Sequence, residues 1–127
     1  MTDMKLAAIE KLVLGYALSL PEATRDEPWE GDVVAKVRGK VFVFTGRTRE
    51  TPRRYGFSVK LPNSAIAVLD LPNAEPTGYG LGRHGWISLM FADGDDVDAG
   101  FLRSLILESW RAVAPKKLVK EHASRSG

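Results

Sequence analysis

Two short segments of this chain alternate apolar and other side chains, a pattern typical of half-buried β-strands. Residues 55–61 read YGFSVKL and residues 86–91 read WISLMF. Successive side chains of a strand point to opposite sheet faces, so each segment has one core face and one outward face. We therefore predict two strands with inward-pointing Tyr55, Phe57, Val59, Ile87 and Leu89. The residues assigned to the outward face are Ser58, Lys60, Trp86, Ser88 and Met90.

Amphipathic helices are predicted near both ends of the chain. The first has apolar residues at steps of three and four, with Asp3 as its N-cap and Pro21 as its stop. The last long helix repeats this spacing from Leu102 to Val113 and ends at Ala114-Pro115. The following PKKLVKE favours another helical turn. The final ASRSG is predicted to be a frayed tail.

The segments between the helices are dominated by hairpin signals. Residues 33–45 are rich in β-branched and aromatic side chains, with a break at Arg38-Gly39. Residues 21–32 indicate a loop or an irregular edge strand, and residues 65–69 a short helix. This order predicts an α+β, two-layer fold, with a mainly antiparallel sheet and helices packed on one face.

The composition is that of a single globular domain. The chain has 127 residues, of which 44% are hydrophobic and 27% are charged, as is common for one domain. No cysteine is present, which excludes disulfides, thiolate metal sites and a cysteine nucleophile. No apolar run approaches the roughly 20 residues of a membrane span. We predict one domain over residues 1–127, cytoplasmic and without a membrane partner.

Positive charge is concentrated in two places, although the whole chain carries a net charge of only +2. Residues 45–56 have four arginines against one glutamate, and residues 115–127 have four basic residues against one glutamate. The arginines of the first patch are Arg47, Arg49, Arg53 and Arg54. Such patches on a mildly acidic body indicate an anionic partner. The alternative is that both are solvated surface loops.

Residues 80–85, GLGRHG, match the G-x-G-x-x-G pattern of dinucleotide-binding loops. That fingerprint needs a strand before the glycines and a helix after them. Here the stretch PNAEPTGY precedes and a predicted strand follows, so we predict a bend between sheet elements. Glycines on either side let backbone N–H groups approach an anion, which makes Arg83 and His84 candidates for phosphate or carboxylate binding.

Two outward residues, Lys60 and Trp86, would suit an anionic planar ligand if their strands adjoin. The alternative is that a helix or loop covers Trp86. Trp110, at core spacing in the last long helix, is assigned to packing.

No metal site, cofactor site or catalytic group is predicted. His84 and His122 are the only histidines, they are distant in sequence, and cysteine is absent, so the sequence does not favour a zinc site. The acidic run 93–98, DGDDVD, departs from the calcium-loop template. We assign it to a turn followed by carboxylates that cap the next helix.

The chain resembles the MmcQ/YjbR-like group of small bacterial proteins over nearly its whole length. The segments that carry the resemblance are Leu20-Pro21-Glu22, Gly39-Lys40-Val41-Phe42, Phe57-Ser58-Val59-Lys60, Pro76, Gly78-Tyr79, Arg83-His84, Trp86 and the run from Glu108 to Leu118. The resemblance implies an α-β(3)-α-β(2)-α fold of the YjbR-like kind, akin to secretion chaperones. It also implies a proposed DNA-binding role through a double wing of hairpin loops, here residues 46–54 and 80–85. No catalytic activity comes with it.

The leading hypothesis is a non-enzymatic protein that binds DNA or another polyanion. Its candidate binding residues are Arg47, Arg49, Arg53, Arg54, Lys60, Arg83, His84 and Trp86. One alternative is a protein-interaction or chaperone-like module acting through the exposed sheet face or as a dimer. Another is a binder of small anionic ligands around Arg83, His84 and Trp86. Both a monomer and a homodimer are compatible with the sequence.

Overall fold

The computed structural model describes residues 2–29, 32–46, 54–78 and 80–126. Within these ranges the chain forms eight β-strands, four α-helices and a short 3-10 helix. In chain order they are β1 (Thr2–Met4), α1 (Leu6–Ser19), β2 (Ala23–Trp29), β3 (Asp32–Val37), β4 (Lys40–Gly46), β5 (Arg54–Lys60), α2 (Ala65–Leu69), β6 (Ala74–Pro76), the 3-10 helix (Leu81–His84), β7 (Trp86–Ala92), β8 (Asp95–Val97), α3 (Ala99–Val113) and α4 (Lys116–Ser126).

Six strands form one antiparallel sheet in the order β2-β3-β4-β5-β7-β6, and β1 pairs with β8 in a separate two-stranded ribbon. The predicted α+β fold with an antiparallel sheet is therefore confirmed. Four strands of the sheet precede α2, because residues 23–29 form a complete edge strand. Its pairing with β3 shifts register between Asp26 and Trp29, so the segment is the irregular edge strand that was one of the two predicted alternatives.

Helices α1 and α3 pack against each other and against the sheet, α1 on β2, β3 and β5, and α3 on β4 and β5. Each helix buries one stripe against the strands, because residues three or four positions apart lie on the same helix face. Every second side chain of each strand points toward the helices and completes the core. The central contacts of this core are Ile9 and Val13 of α1, Leu105 and Ile106 of α3, and Val43, Phe57, Val59, Ile87 and Leu89 of the sheet.

Ser109 of α3 ties the helix layer to two strands. Its side chain is completely buried, and its Oγ donates to the Phe42 carbonyl oxygen at 2.6 Å. The same Oγ accepts from the Lys60 backbone N–H at 2.8 Å. These two groups lie just beyond Val43 and Val59, the last residues paired between β4 and β5 at this end. The serine therefore satisfies backbone groups that would otherwise be buried without a partner.

The residues on either side of Ser109 make further long-range contacts. The Glu108 carboxylate accepts from the backbone N–H groups of Asn63 and Ser64, each at 3.1 Å. The Trp110 Nε1–H donates to the Pro21 carbonyl oxygen at 3.2 Å, and its ring is completely buried. The prediction that Trp110 serves packing is confirmed. Glu108 fixes the turn that leads into α2.

The acidic run 93–98 serves as caps. The Asp98 Oδ1 accepts from the Phe101 N–H at 3.1 Å, as predicted for the N-cap of α3. The predicted cap of α1 was wrong, because Asp3 lies in β1. The first N–H of that helix, from Leu6, instead donates to Asp93 Oδ1 at 2.8 Å. Within the described ranges, no group of three or more His, Asp and Glu is arranged to hold a metal ion.

The C-terminal segment is more ordered than predicted. Helix α4 extends to Ser126, through most of the predicted frayed tail. Leu118 joins the core, and the His122 ring meets the Trp110 ring edge-on, with 5.1 Å between centroids. These contacts hold α4 against α3. None of the described helices has both the length and the apolar character required to cross a membrane.

Candidate binding surface on the open face of the sheet

The register of the sheet brings side chains from five strands together on the face opposite the helices, which we name the open face. Val34, Phe44, Ser58 and Ser88 pair in succession across β3, β4, β5 and β7. Glu75 of β6 pairs with Ser88 and completes the row. Directly paired residues of antiparallel strands share a face. The predicted outward orientation of Ser58 and Ser88 is confirmed.

Three hydroxyl groups form a connected cluster on the open face. Ser88 Oγ lies 2.6 Å from Ser58 Oγ and 2.8 Å from Thr77 Oγ1. All three residues are half-buried. Each hydroxyl has a single proton and two lone pairs. Since the cluster has three protons and only two internal bonds, one proton stays available to an acceptor outside it.

A second row of paired residues has glycine on two adjacent strands. Gly46 of β4 pairs with Gly56 of β5, which in turn pairs with Met90 of β7. A Cβ on Gly56 would overlap the Met90 Sδ, so the thioether lies directly over the Gly56 backbone. Asp32 pairs with Gly46 and completes the row at its outer end. The two rows form the floor of a groove of about 690 Å³.

The groove is lined mainly by apolar atoms around the hydroxyl cluster. Phe44 and Met90 lie on its floor, and Leu81 of the 3-10 helix reaches it from one side. Among the described lining residues, Asp32 and Glu75 are the only charged ones, and none belongs to an α-helix. A concave apolar surface with a few convergent polar groups is typical of ligand sites.

Two of the predicted cationic residues stand at the ends of β5. Arg54 and Lys60 share the parity of Ser58 along the strand and therefore lie on the open face. Arg54 is exposed and Lys60 is half-buried. The other arginines predicted for this patch, Arg47, Arg49 and Arg53, lie outside the described residues.

Arg83 and His84 lie in the 3-10 helix, and both are exposed. Gly80 and Gly85 bound this helix with φ angles of 79° and 84°, the left-handed region that favours glycine. Strand β6 precedes the loop and β7 follows it, so the predicted bend between sheet elements is confirmed. The short strand before the glycines was missed. The dinucleotide fingerprint still fails, because a strand takes the place of its α-helix.

Trp86 is only 8% exposed. Its ring meets Phe44 edge-on, with 5.3 Å between centroids and 64° between ring planes. It pairs with Lys60 across β5 and β7, so the two predicted strands do adjoin. Trp86 is therefore buried and not exposed on the open face, and its ring contact comes from strand β4. A site for small anions here would have the exposed Arg83 guanidinium and the exposed His84 imidazole but no open indole face.

The cations of β3 and of the β3–β4 turn are already paired within the fold. Lys36 Nζ donates to Asp26 Oδ2 at 2.6 Å, and the Arg38 guanidinium forms a two-point ion pair with Glu22. The bonds from Arg38 lower the pKa of Glu22. The pKa of Asp26 is lowered by the Lys36 bond and by the Glu27 backbone N–H. The first pair joins β2 to β3, and the second joins the turn before β2 to the turn after β3.

Sequence reasoning missed several groove residues. The sequence did not indicate that Phe44 faces outward, because β4 contains a bulge. The register with β3 shifts there, between Val43 and Val41. Thr77 and Glu75 fall in the stretch PNAEPTGY, for which no strand was predicted, and nothing in the sequence assigns them to a strand edge. Gly56, in contrast, was indicated by the pattern. It lies two positions before Ser58 in the alternating segment 55–61, so the sequence showed that the outward face has no side chain of its own at this position.

The fold and this surface define a class: a small α+β domain with helices on one sheet face and a candidate binding groove on the other. The YjbR family profile matches residues 18–112, most of the sequence, and the chain belongs to the YjbR family. A crystal structure of a protein from Pseudomonas syringae is similar, with a TM-score of 0.65 and 18% identity over 87% of this chain and 99% of that one. At this identity the similarity concerns the fold alone. No curated protein matches the sequence.

Proposed function

We propose that this YjbR-family chain is a non-enzymatic protein that binds DNA or another polyanion in the cytoplasm. The observation that carries the proposal is the position of Arg54 and Lys60, at opposite ends of β5 on the open face. Arg54 directly follows the arginine-rich segment 47–53 in sequence. The helices pack on the other side of the sheet, so an extended anion can approach both ends of the strand.

The spacing of these cations fits a repeating anion. Six residue steps separate Arg54 from Lys60, about 20 Å along an extended strand. A duplex of that length presents about six phosphates on each DNA strand. Arg83 and His84 add exposed cationic or hydrogen-bonding groups on the 3-10 helix before β7. Contacts of this kind are made to phosphates and are independent of base sequence.

The non-enzymatic part of the proposal is supported by the surroundings of His84. Its imidazole is exposed, whereas a general base is normally held within reach of its substrate by an orienting group. The carboxylates of Asp93 and Asp98 are engaged by backbone N–H groups of helix termini. These assignments give the acidic run a structural role.

The test is binding of a fluorescently labelled DNA duplex at about 50 mM and about 200 mM salt. We expect saturable binding at low salt that weakens steeply at the higher salt, because phosphate contacts release counterions. The variant removes the arginine patch by replacing Arg47, Arg49, Arg53 and Arg54 with serine. Its affinity should fall, and the slope of log affinity against log salt should decrease by about 0.9 for each lost phosphate contact.

A matched control removes the same amount of charge from the helix layer. It replaces four exposed residues in or next to α1 and α3 with serine, namely Lys5, Lys11, Arg103 and Arg111. We expect this variant to keep most of the affinity and the salt slope. The proposal fails if the wild-type chain does not bind DNA at low salt, or if the two quadruple variants behave alike.

A second candidate function is self-association or another protein interaction through α2, and the exposure of Ile66 favours it. This side chain is 85% exposed, which is unusual for isoleucine. Leu69 on the same helix is 37% exposed. The test is the light-scattering mass of the wild-type chain and of Ile66→Ser. A dimer that the substitution dissociates would support this candidate, and a wild-type monomer at high concentration would contradict self-association.

A further inference from the structure

The groove on the open face has chemistry that polyanion binding does not use. Its floor combines the Gly46–Gly56 pair with Met90, and its centre holds the hydroxyl cluster of Ser58, Ser88 and Thr77. We propose that this groove binds a mainly apolar small molecule that carries a cationic nitrogen. This activity differs from polyanion binding in the charge of the ligand, and it uses Gly56 and Ser58, which lie between Arg54 and Lys60 on β5.

The shape of the groove favours a small molecule. Its volume of about 690 Å³ lies within the range of roughly 300–1,000 Å³ typical of small-molecule sites. Two adjacent strands have glycine on the open face, and the Met90 thioether covers the Gly56 position. A side chain at Gly56 would overlap the Met90 thioether and push it into the groove. The apolar body of a ligand would lie along Phe44 and Met90.

The charge of the lining sets the sign of the ligand. Asp32 and Glu75 are the only charged residues among the described residues that line the groove, and both are acidic. They belong to β3 and β6, with β4, β5 and β7 between them. Four strand spacings place them about 19 Å apart on opposite sides of the groove. A cationic nitrogen at either side would meet a carboxylate.

The hydroxyl cluster supplies the remaining polar contacts. One of its three protons is uncommitted within the cluster, and its oxygens retain lone pairs, so it can both donate to and accept from a ligand. Because Ser88 bonds both of its neighbours, the cluster has a fixed position between β5, β7 and Thr77. It would orient one polar group of an otherwise apolar molecule.

The experiment uses three probes with the same phenylethyl body and different charge: 2-phenylethylammonium, 2-phenylethanol and 3-phenylpropionate. Each is titrated to millimolar concentrations into the isotope-labelled full chain, and amide shifts are followed by NMR. We expect saturable shifts that cluster at Phe44, Gly56, Ser58 and Ser88. The ammonium probe should bind roughly tenfold more tightly than the carboxylate, a difference of about 1.4 kcal/mol.

Two variants separate the charge from the shape of the site. Asp32→Asn with Glu75→Gln should remove the preference for the ammonium probe while the phenylethanol shifts remain. Gly56→Val should abolish the shifts from all three probes, because the groove is filled. Asp70→Asn, an exposed carboxylate after α2, is the control and should leave the affinities unchanged.

The proposal is overturned if the carboxylate probe binds as tightly as the ammonium probe, if the shifts map outside the groove, or if no probe gives a saturable shift. It is also overturned if the chain forms a dimer that Gly56→Val dissociates, since a second copy would then occupy the groove. Failure of the wild-type chain to bind DNA would leave these outcomes unaffected, so the two proposals fail independently.

Discussion

The hydroxyl oxygens of Ser58 and Ser88 lie 2.6 Å apart on the open face, although the residues are 30 positions apart in sequence. The antiparallel register of β5 and β7 produces this contact. The same register places Lys60 beside Trp86 and Arg54 beside Ala92. One strand pairing therefore fixes both the polar centre of the groove and the residues that lie beside the two cations at the ends of β5.

Replacement of Ser109 by alanine should destabilise the chain by about 1–3 kcal/mol, because the Phe42 carbonyl and the Lys60 N–H lose a buried partner. The measurement is urea denaturation followed by circular dichroism. Ser104→Ala on the same helix is the control, since that exposed hydroxyl bonds only the Phe101 carbonyl one turn away. We expect the control to stay within about 0.5 kcal/mol of wild type. Equal effects would contradict the assigned role of Ser109.

Two glycine-to-alanine substitutions should have opposite signs. Gly85 has a φ of +84°, so Gly85→Ala should cost about 1–2 kcal/mol. Gly15 lies inside α1, and a Cβ there would meet nothing within 4 Å. Gly15→Ala should therefore stabilise the chain by about 0.5–1 kcal/mol. Melting temperatures of the two variants test this, and an unchanged value for Gly85→Ala would contradict the left-handed cap.

Trp86→Ala should cost about 3–5 kcal/mol of stability, because the indole is buried. A double-mutant cycle with Phe44→Leu should give a coupling of about 0.5–1.5 kcal/mol for the edge-on ring contact. Denaturant titration of the four proteins in the cycle measures both quantities. If Trp86 were an open stacking surface, its removal would weaken ligand binding and leave stability nearly unchanged.

Acid should weaken the β2 edge through two carboxylates. Arg38 lowers the pKa of Glu22 and Lys36 lowers that of Asp26, so both ion pairs favour the folded state above the ordinary carboxyl pKa values. This contribution is lost as pH falls through the lowered values. Between about pH 5 and about pH 3, the melting temperature of wild type should therefore fall more steeply than that of a Glu22→Gln, Asp26→Asn variant.

The control for this pH series is Asp70→Asn, which removes one exposed carboxylate without touching β2. Its melting temperature should follow the wild-type profile. High salt should reduce the difference between wild type and the double variant, because all four paired side chains are substantially accessible to solvent. Parallel acid profiles for wild type and the double variant would contradict the role of the pairs.

Much of the fold was predictable because its strands are patterned. The alternation in residues 55–61 and 86–91 predicted which residues face the core, and the structure has Phe57, Val59, Ile87 and Leu89 there. The hairpin break at Arg38-Gly39 was also predicted, and both residues have the positive φ angles of such a turn. These features depend on a few neighbouring residues, so the local sequence determines them.

The remaining features depend on contacts between distant segments. Nothing near Leu6 indicates that its N–H is capped by Asp93, and a plausible local cap, Asp3, was chosen instead. The groove could not be predicted either, because it requires Gly46 and Gly56 to face each other across β4 and β5. That pairing follows from the register of two strands, which the separate patterns of each strand do not specify.

The most direct measurement for the central claim is NMR mapping of a short, unlabelled DNA duplex on the isotope-labelled chain at about 50 mM salt. The account predicts that amide shifts concentrate at Arg54, Lys60 and Arg83 and shrink as salt is raised. Shifts confined to α3 and α4, or a spectrum that the duplex leaves unchanged, would contradict it.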